Sequence, residues 1–175
     1  MWIFGYGSLI WRPGFEFEES KVACLEGWER VFSQGSPDHR GTPEEPGRVV
    51  TLRSSAASGC WGRAYRVRDD AADTILERLD HREQGGYERV RISLHSLAAT
   101  EPRWEAVTYL ARSGNPHDLG VASLDAMVDQ IATREGPSGA NRDYVLRLRE
   151  ALDELGISDP RVSEIADALV ERASP

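Results

Sequence analysis

The sequence predicts an α+β fold: a mainly antiparallel, barrel-like sheet with one inserted helix and further helices gathered at the C-terminal end. Three observations carry this. Short apolar runs of strand character occupy much of residues 2–67 and 87–111. One helical period, Ala72, Ile75, Leu76 and Leu79, falls between them. Beyond Pro116 the apolar residues recur at helical spacing alone. Strands first and helices last, without a repeated βαβ unit, argue against a parallel sheet.

The elements follow in order. Trp2 to Tyr6 reads as a buried strand broken by Gly5 and Gly7, and Val22 to Phe32 as a second, interrupted at Gly27. Gly35 to Gly47 (GSPDHRGTPEEPG) is dense in Gly, Pro and Asp and predicts a long loop. Arg48–Arg53 and Cys60–Val67 predict strands joined by a small-residue turn, Ser54 to Gly59. Asp69 or Asp70 is positioned to cap the helix that follows, and Gly85-Gly86 to end it. Tyr87 to Leu97 alternates Val90, Ile92 and Leu94 against Arg89, Arg91 and Ser93, a half-buried strand with Trp104–Ala111 as its hairpin partner. Three helices close the chain. Leu124, Met127, Val128 and Ile131 follow a Ser123 cap; Tyr144, Val145, Leu148 and Leu152 follow the Gly136–Gly139 turn; Val162, Ile165 and Leu169 follow Asp159 as cap and Pro160 at the first helical position.

The chain has 175 residues, which suits a single domain over 1–175, with about 156–175 as a peripheral C-terminal helix. A globule of this size hides roughly 70% of its unfolded surface and needs no metal or disulfide staple. The net charge of −8 and pI near 5.1 argue against nucleic acid and anionic membrane as partners, because phosphate binding needs clustered positive charge. Two cysteines, Cys24 and Cys60, lack metal-site spacing and read as buried thiols in a reducing cytosol. The N-terminus lacks the basic and long apolar regions of a signal peptide, and no run approaches the ~20 apolar residues of a membrane span, so a cytoplasmic protein is expected.

Two segments could carry chemistry. In Phe4-Gly5-Tyr6-Gly7-Ser8-Leu9-Ile10-Trp11, two glycines at a strand end are either a structural turn or a nest whose N–H groups bind an anion or oxyanion. Gly-x-Gly without a third glycine is no dinucleotide fingerprint, and no Gly-Lys-Ser/Thr follows it. In Leu79 to Tyr87, the helical phase brings Arg82 and Glu83 toward the apolar face; the alternative is a charged surface helix end. Other residues are poorer candidates. His39, His81, His95 and His117 show no metal spacing, and Ser8 lacks a nucleophile-elbow context. Cys60 beside Trp61 is a poor thiolate. Arg40, Arg48 and Arg53 could meet a carboxylate or pair with Glu44 and Glu45. The five tryptophans read as core.

Read in order, these pieces resemble the ChaC-like family of glutathione-specific γ-glutamylcyclotransferases. The resemblance begins at Trp2–Trp11 and continues through Gln34-Gly35-Ser36, Asp38–Gly41, Pro46–Leu52 and Trp61-Gly62. Leu79-Asp80, Arg82-Glu83, Gly85-Gly86-Tyr87, Gly136–Gly139, Asn141 and Tyr144 complete it. It implies a mixed β-barrel flanked by helices, no cofactor, and cleavage of glutathione to 5-oxoproline and cysteinylglycine. It also implies Glu83 as catalytic acid/base and Gly5, Tyr6, Gly7, Ser8, Leu9 and Ile10 as the loop that holds the γ-glutamyl group. The residues fit this chemistry. The substrate α-amine is its own nucleophile, so no triad or metal is needed; burial is expected to raise the Glu83 pKa toward that of the amine it must deprotonate. Cyclotransfer from another γ-glutamyl amino acid or amine, a non-catalytic small-molecule-binding relative, and a partner-binding scaffold are the alternatives.

Overall fold

The computed structural model describes residues 1–98 and 101–172. Its main sheet has five strands in the order β2-β3-β1-β5-β4. These are β1 (Trp2–Gly5), β2 (Glu19–Ser36), β3 (Gly47–Arg66), β4 (Tyr87–Leu94) and β5 (Trp104–Ala111). β1 pairs antiparallel with β3, Trp2 opposite Arg66 and Gly5 opposite Arg63, and parallel with β5 through Ile3 and Val107. β4 and β5 form the expected hairpin, from Tyr87 opposite Ala111 to Leu94 opposite Trp104. The sheet is therefore mixed, and the fold is α+β.

The barrel expectation is corrected. The sheet is open, with β2 and β4 at its edges. Among the described residues these edges meet at one antiparallel bridge, where Cys24 and His95 exchange backbone hydrogen bonds of 2.9 and 3.1 Å. β4 ends at Leu94, so no ladder extends from that bridge, and closure needs a continuous one. Two local expectations also change. Ser54–Gly59 is no turn but lies inside β3, largely exposed, so its small side chains reflect solvent rather than chain reversal. Neither Asp69 nor Asp70 caps the helix. Asp69 meets the Met1 ammonium at 2.7 Å, Asp70 pairs with Arg68, and a 3₁₀ turn, Asp69–Ala71, leads into α1 (Ala72–Arg82).

The chain forms two compact units, Met1–Arg30 with Leu52–Arg112, and Val31–Thr51 with Ser113–Pro175. β2 and β3 each run from one unit into the other, so neither unit is an uninterrupted stretch. The first unit buries the α1 face (Ala72, Ile75, Leu79) against Ile3, Leu9, Val67 and Tyr109. Apolar burial of this kind contributes roughly 25 cal/mol per Å².

The second unit is built on α2 (Leu124–Thr133), α3 (Asn141–Glu154) and α4 (Pro160–Arg172), which pack pairwise, and on the hairpin β6 (Glu135–Gly136) and β7 (Gly139–Ala140). Ser123 accepts from the Ala126 N–H at 3.3 Å and Asp159 from the Val162 N–H at 3.2 Å, the expected caps. The terminal helix, expected at the periphery, buries Val162, Ile165, Ala166 and Leu169; residues 173–175 of that expectation lie outside the described residues. No described helix is long and apolar enough to cross a membrane.

In this unit Asn141, fully buried, accepts from the Arg48 N–H at 2.6 Å and donates to the Arg48 carbonyl at 2.9 Å. The Arg48 guanidinium donates to the carbonyls of Phe32 (2.8 Å) and Gly120 (3.0 Å) and to Gln130 Oε1 (2.8 Å). Burial pulls its pKa below the ordinary arginine value. The three arginines are thus occupied otherwise than by Glu44 and Glu45. Arg40 donates to the Ala140 carbonyl, Arg53 to those of Leu52 and Ala111, and Glu45 pairs with Arg134. The tryptophans are likewise corrected: all five are half-buried rather than interior.

Candidate active site

The site residues expected from the sequence lie in the first unit, where β1 gives way to a tight bend. Gly5 is needed there for space: a Cβ on it would stand 2.6 Å from Leu9 Cβ. Neither Gly5 nor Gly7 takes a positive φ, so the bend is not the left-handed nest that two glycines suggested. Instead Gly7 precedes one 3₁₀ turn, Ser8–Ile10, in which the Ile10 N–H donates to Gly7 O at 2.9 Å and the Trp11 N–H to Ser8 O at 3.3 Å. The N–H groups of Ser8 and Leu9, at the open end of the turn, have no acceptor within it.

Buried side chains hold carbonyls of β1 and of the bend that follows it. Thr108 Oγ1 donates to Phe4 O at 2.8 Å, and Arg30 Nε to Tyr6 O at 2.8 Å. The Tyr65 hydroxyl stands 2.8 Å from both Leu9 O and Ile10 O. The Tyr6 hydroxyl is spent on Tyr109 O at 2.7 Å, and the Leu9 and Ile10 side chains are interior. Of the six loop residues, Gly7 and Ser8 are therefore the ones with surface to offer a ligand; Gly5, Tyr6, Leu9 and Ile10 act through backbone and packing.

Glu83 follows α1 as its C-cap. Its N–H donates to Leu79 O at 2.9 Å and its carbonyl accepts from the Tyr87 N–H at 3.3 Å, while Gly86 (φ +95°) makes the left-handed turn into β4. The helical phase that buries Ile75 and Leu79 brings Glu83 inward, leaving its side chain 18% exposed. Arg82 ties it to the bend. Its Nη2 donates to Ser8 Oγ at 2.8 Å, its Nη1 to Arg12 O at 2.8 Å and Pro13 O at 3.3 Å, and its Nε lies 3.3 Å from Glu83 Oε1. Because Ser8 accepts from Arg82, its own proton remains to donate elsewhere. Low exposure disfavours the Glu83 charge and the Arg82 guanidinium favours it, two opposed effects on one carboxylate.

Tyr109 completes the wall. Its hydroxyl donates to Asp80 Oδ1 at 2.6 Å, and burial together with the Asp80 and Glu83 charges pushes its pKa up, so it stays a neutral phenol. The residues missed by sequence reasoning are Tyr109 and Arg30; Arg82 was singled out beside Glu83, without its grip on Ser8. Arg30 had a signal: alternation along β2 sets it in phase with the buried Phe32 and Gln34, an inward charge. Tyr109 had none. Among the described residues no group of three or more His, Cys, Asp and Glu side chains could hold a metal.

Gly62 lets β3 approach the bend, since a Cβ there would sit 2.3 Å from Gly5 O. Gly62→Ala must therefore push the β1 end away from β3; turnover is expected to fall at least about tenfold while the protein remains folded, a 1 Å misplacement being worth up to about 10²-fold. Steady-state kinetics beside circular dichroism check this.

A family model described as ChaC-like protein matches residues 1–172. Gamma-glutamylcyclotransferase 2-3 of Arabidopsis thaliana is 42% identical over 174 residues, covering 95% of this chain and 87% of its own. The human glutathione-specific gamma-glutamylcyclotransferase 1 is 38% identical, covering 97% and 78%. A crystal structure of the yeast gamma-glutamylcyclotransferase specific to glutathione superposes with a TM-score of 0.90 at 25% identity, over 98% of this chain and 96% of that one. With a family model over nearly its whole length and such relatives beside it, the chain belongs to the ChaC-like family.

Proposed function

We infer that this protein is a glutathione-specific γ-glutamylcyclotransferase, releasing 5-oxoproline and cysteinylglycine, with Glu83 as general acid/base. The names of its relatives support the reaction. The observation that carries the residue assignment is the half-buried Glu83 carboxylate sharing the Arg82 guanidinium with Ser8 of the bend.

The substrate's α-ammonium gives a proton to Glu83. The freed amine attacks the γ-carbonyl carbon and closes a five-membered ring, and the tetrahedral oxyanion collapses by breaking the amide bond to cysteine. The leaving nitrogen takes the proton back from Glu83, and the second proton, which the ring nitrogen sheds on becoming a lactam N–H, is carried by Glu83 to the released amine, so cysteinylglycine leaves as an ammonium and the enzyme ends as it began. Holding the glutamyl arm folded is the largest contribution, since a well-oriented intramolecular reaction gains about 7–11 kcal/mol. The N–H groups at the open end of the 8–10 turn and the Ser8 hydroxyl are the donors for substrate oxygens, worth about 3–4 kcal/mol per well-placed group. A carboxylate of pKa about 4.3 taking a proton from an amine of about 8 works uphill by about 5 kcal/mol, a gap that Glu83's low exposure narrows and its Arg82 partner widens.

The partner is a small molecule rather than a nucleic acid, on the ground of the net charge of −8. A cytoplasmic location goes with a glutathione substrate and with Cys24 and Cys60 held as buried thiols. The test is release of 5-oxoproline and cysteinylglycine from reduced glutathione by the purified protein, beside γ-glutamylalanine. Turnover of glutathione at a kcat/KM at least about a hundredfold higher, near 2.7 kcal/mol of discrimination, is expected. Equal rates would make it a general γ-glutamyl enzyme, and no product from either would leave a binding protein.

A further inference from the structure

Arg30 lies in mid-strand, on β2, with only 5% of its surface exposed. Burying a guanidinium is costly, and the position asks what it holds. Its Nε donates to Tyr6 O at 2.8 Å and its Nη2 to Trp61 O at 2.6 Å. In the strand order β2-β3-β1, β3 stands between Arg30 and the end of β1. The side chain therefore passes β3 at Trp61, next to Gly62, whose missing Cβ lets that backbone come close to Gly5 O. Its destination is the peptide unit that opens the bend.

That peptide joins Tyr6 to Gly7 and is trans. In a trans peptide the C=O and the following N–H point in opposite directions. Fixing the Tyr6 carbonyl on Arg30 thus fixes the direction of the Gly7 N–H, away from the guanidinium. Gly7 has no side chain to restrain its own backbone (φ −124°, ψ −133°), so the restraint must come from Tyr6. That residue is held at both ends, by Arg30 on its carbonyl and by Tyr109 O on its hydroxyl. The Gly7 N–H is followed directly by the open N–H groups of Ser8 and Leu9, and Ser8 shares Arg82 with Glu83. The oxygen these donors would meet is the one nearest the proton carrier, on the reacting carbon.

We propose that Arg30 is a positioning residue that holds the Tyr6–Gly7 peptide so that the Gly7 N–H faces the developing oxyanion of the γ-carbonyl. This rests on the cyclotransferase reading above. The buried guanidinium also places a positive charge one peptide away from the oxyanion, in surroundings that screen it poorly.

The test compares Arg30→Met, Arg30→Lys and Thr108→Val with the unchanged protein on glutathione, each checked for folding by circular dichroism and thermal melting. Thr108 makes the same kind of buried clamp one peptide earlier, on Phe4 O, without charge and outside the bend. Arg30→Met is expected to lower kcat about 10²-fold, the loss typical of one oxyanion donor, with KM within about threefold. Arg30→Lys, which keeps the charge but not the fork, recovers part of kcat. Thr108→Val loses stability while keeping kcat within about threefold. Arg30→Met at near-normal kcat, a change confined to KM, or an equal kcat loss in Thr108→Val overturns the role. If Arg30→Met does not fold, Arg30→Lys decides: unchanged kcat overturns the proposal and a reduced kcat at unchanged KM upholds it. An unchanged protein that is silent on every γ-glutamyl donor overturns both the cyclotransferase reading and this role, whereas an active one with an indifferent Arg30 overturns this role alone.

Discussion

Glu83→Gln is expected to leave a folded protein that binds glutathione and turns it over at least about a thousandfold more slowly. The amide keeps the size and polarity of the side chain, and the helix end that positions it depends on the Glu83 backbone, whose N–H reaches Leu79 O and whose carbonyl receives the Tyr87 N–H. What is lost is the ability to accept and return a proton. General acid–base catalysis by one side chain contributes about 10²–10⁴-fold, and in the proposed mechanism this residue serves both the attacking and the leaving nitrogen. The loss should fall on kcat, with dissociation constants for glutathione by calorimetry within about threefold. A variant that retains a tenth of the normal rate would remove Glu83 from the mechanism.

The second large effect concerns stability. Asn141→Ala removes both partners of the Arg48 backbone, the acceptor for its N–H and the donor to its carbonyl, at a fully buried position. Each buried group left without a partner costs about 1–3 kcal/mol, so a loss of about 2–6 kcal/mol is expected. That is a large part of the 5–15 kcal/mol typical of a whole domain. The guanidinium of the same Arg48 holds Phe32 O, Gly120 O and Gln130, so loosening its backbone threatens three further contacts. Urea unfolding followed by circular dichroism measures it; a loss below about 1 kcal/mol would mean that water replaces the amide.

Periodicity made much of this molecule legible. The alternation of Val90, Ile92 and Leu94 specified β4, and the spacing of Ala72, Ile75 and Leu79 specified the buried face of α1 and, by continuation, the inward set of Glu83. The caps of α2 and α4 were readable because the cap chemistry is local. What escaped depends on partners distant in sequence. Asp69 looks like a cap until the Met1 ammonium claims it, 68 residues away. The ring of strands fails to close because β4 stops where His95 meets Cys24, and no local pattern records that. Arg82 was visible as a neighbour of Glu83, but its grip on Ser8 spans 74 residues. The glycines of the bend were read as conformational freedom, whereas Gly5 and Gly62 serve as clearance between chains.

The interior thiol near the β2 edge bears on how such a protein survives its own chemistry. Burial, with the neighbouring Cys60 and Glu26, pushes the Cys24 pKa up to about 11. At neutral pH the sulfur is then held as the thiol, and only the thiolate exchanges with disulfides. Mixed-disulfide formation with a thiol tripeptide or its oxidised dimer is thereby disfavoured at this position.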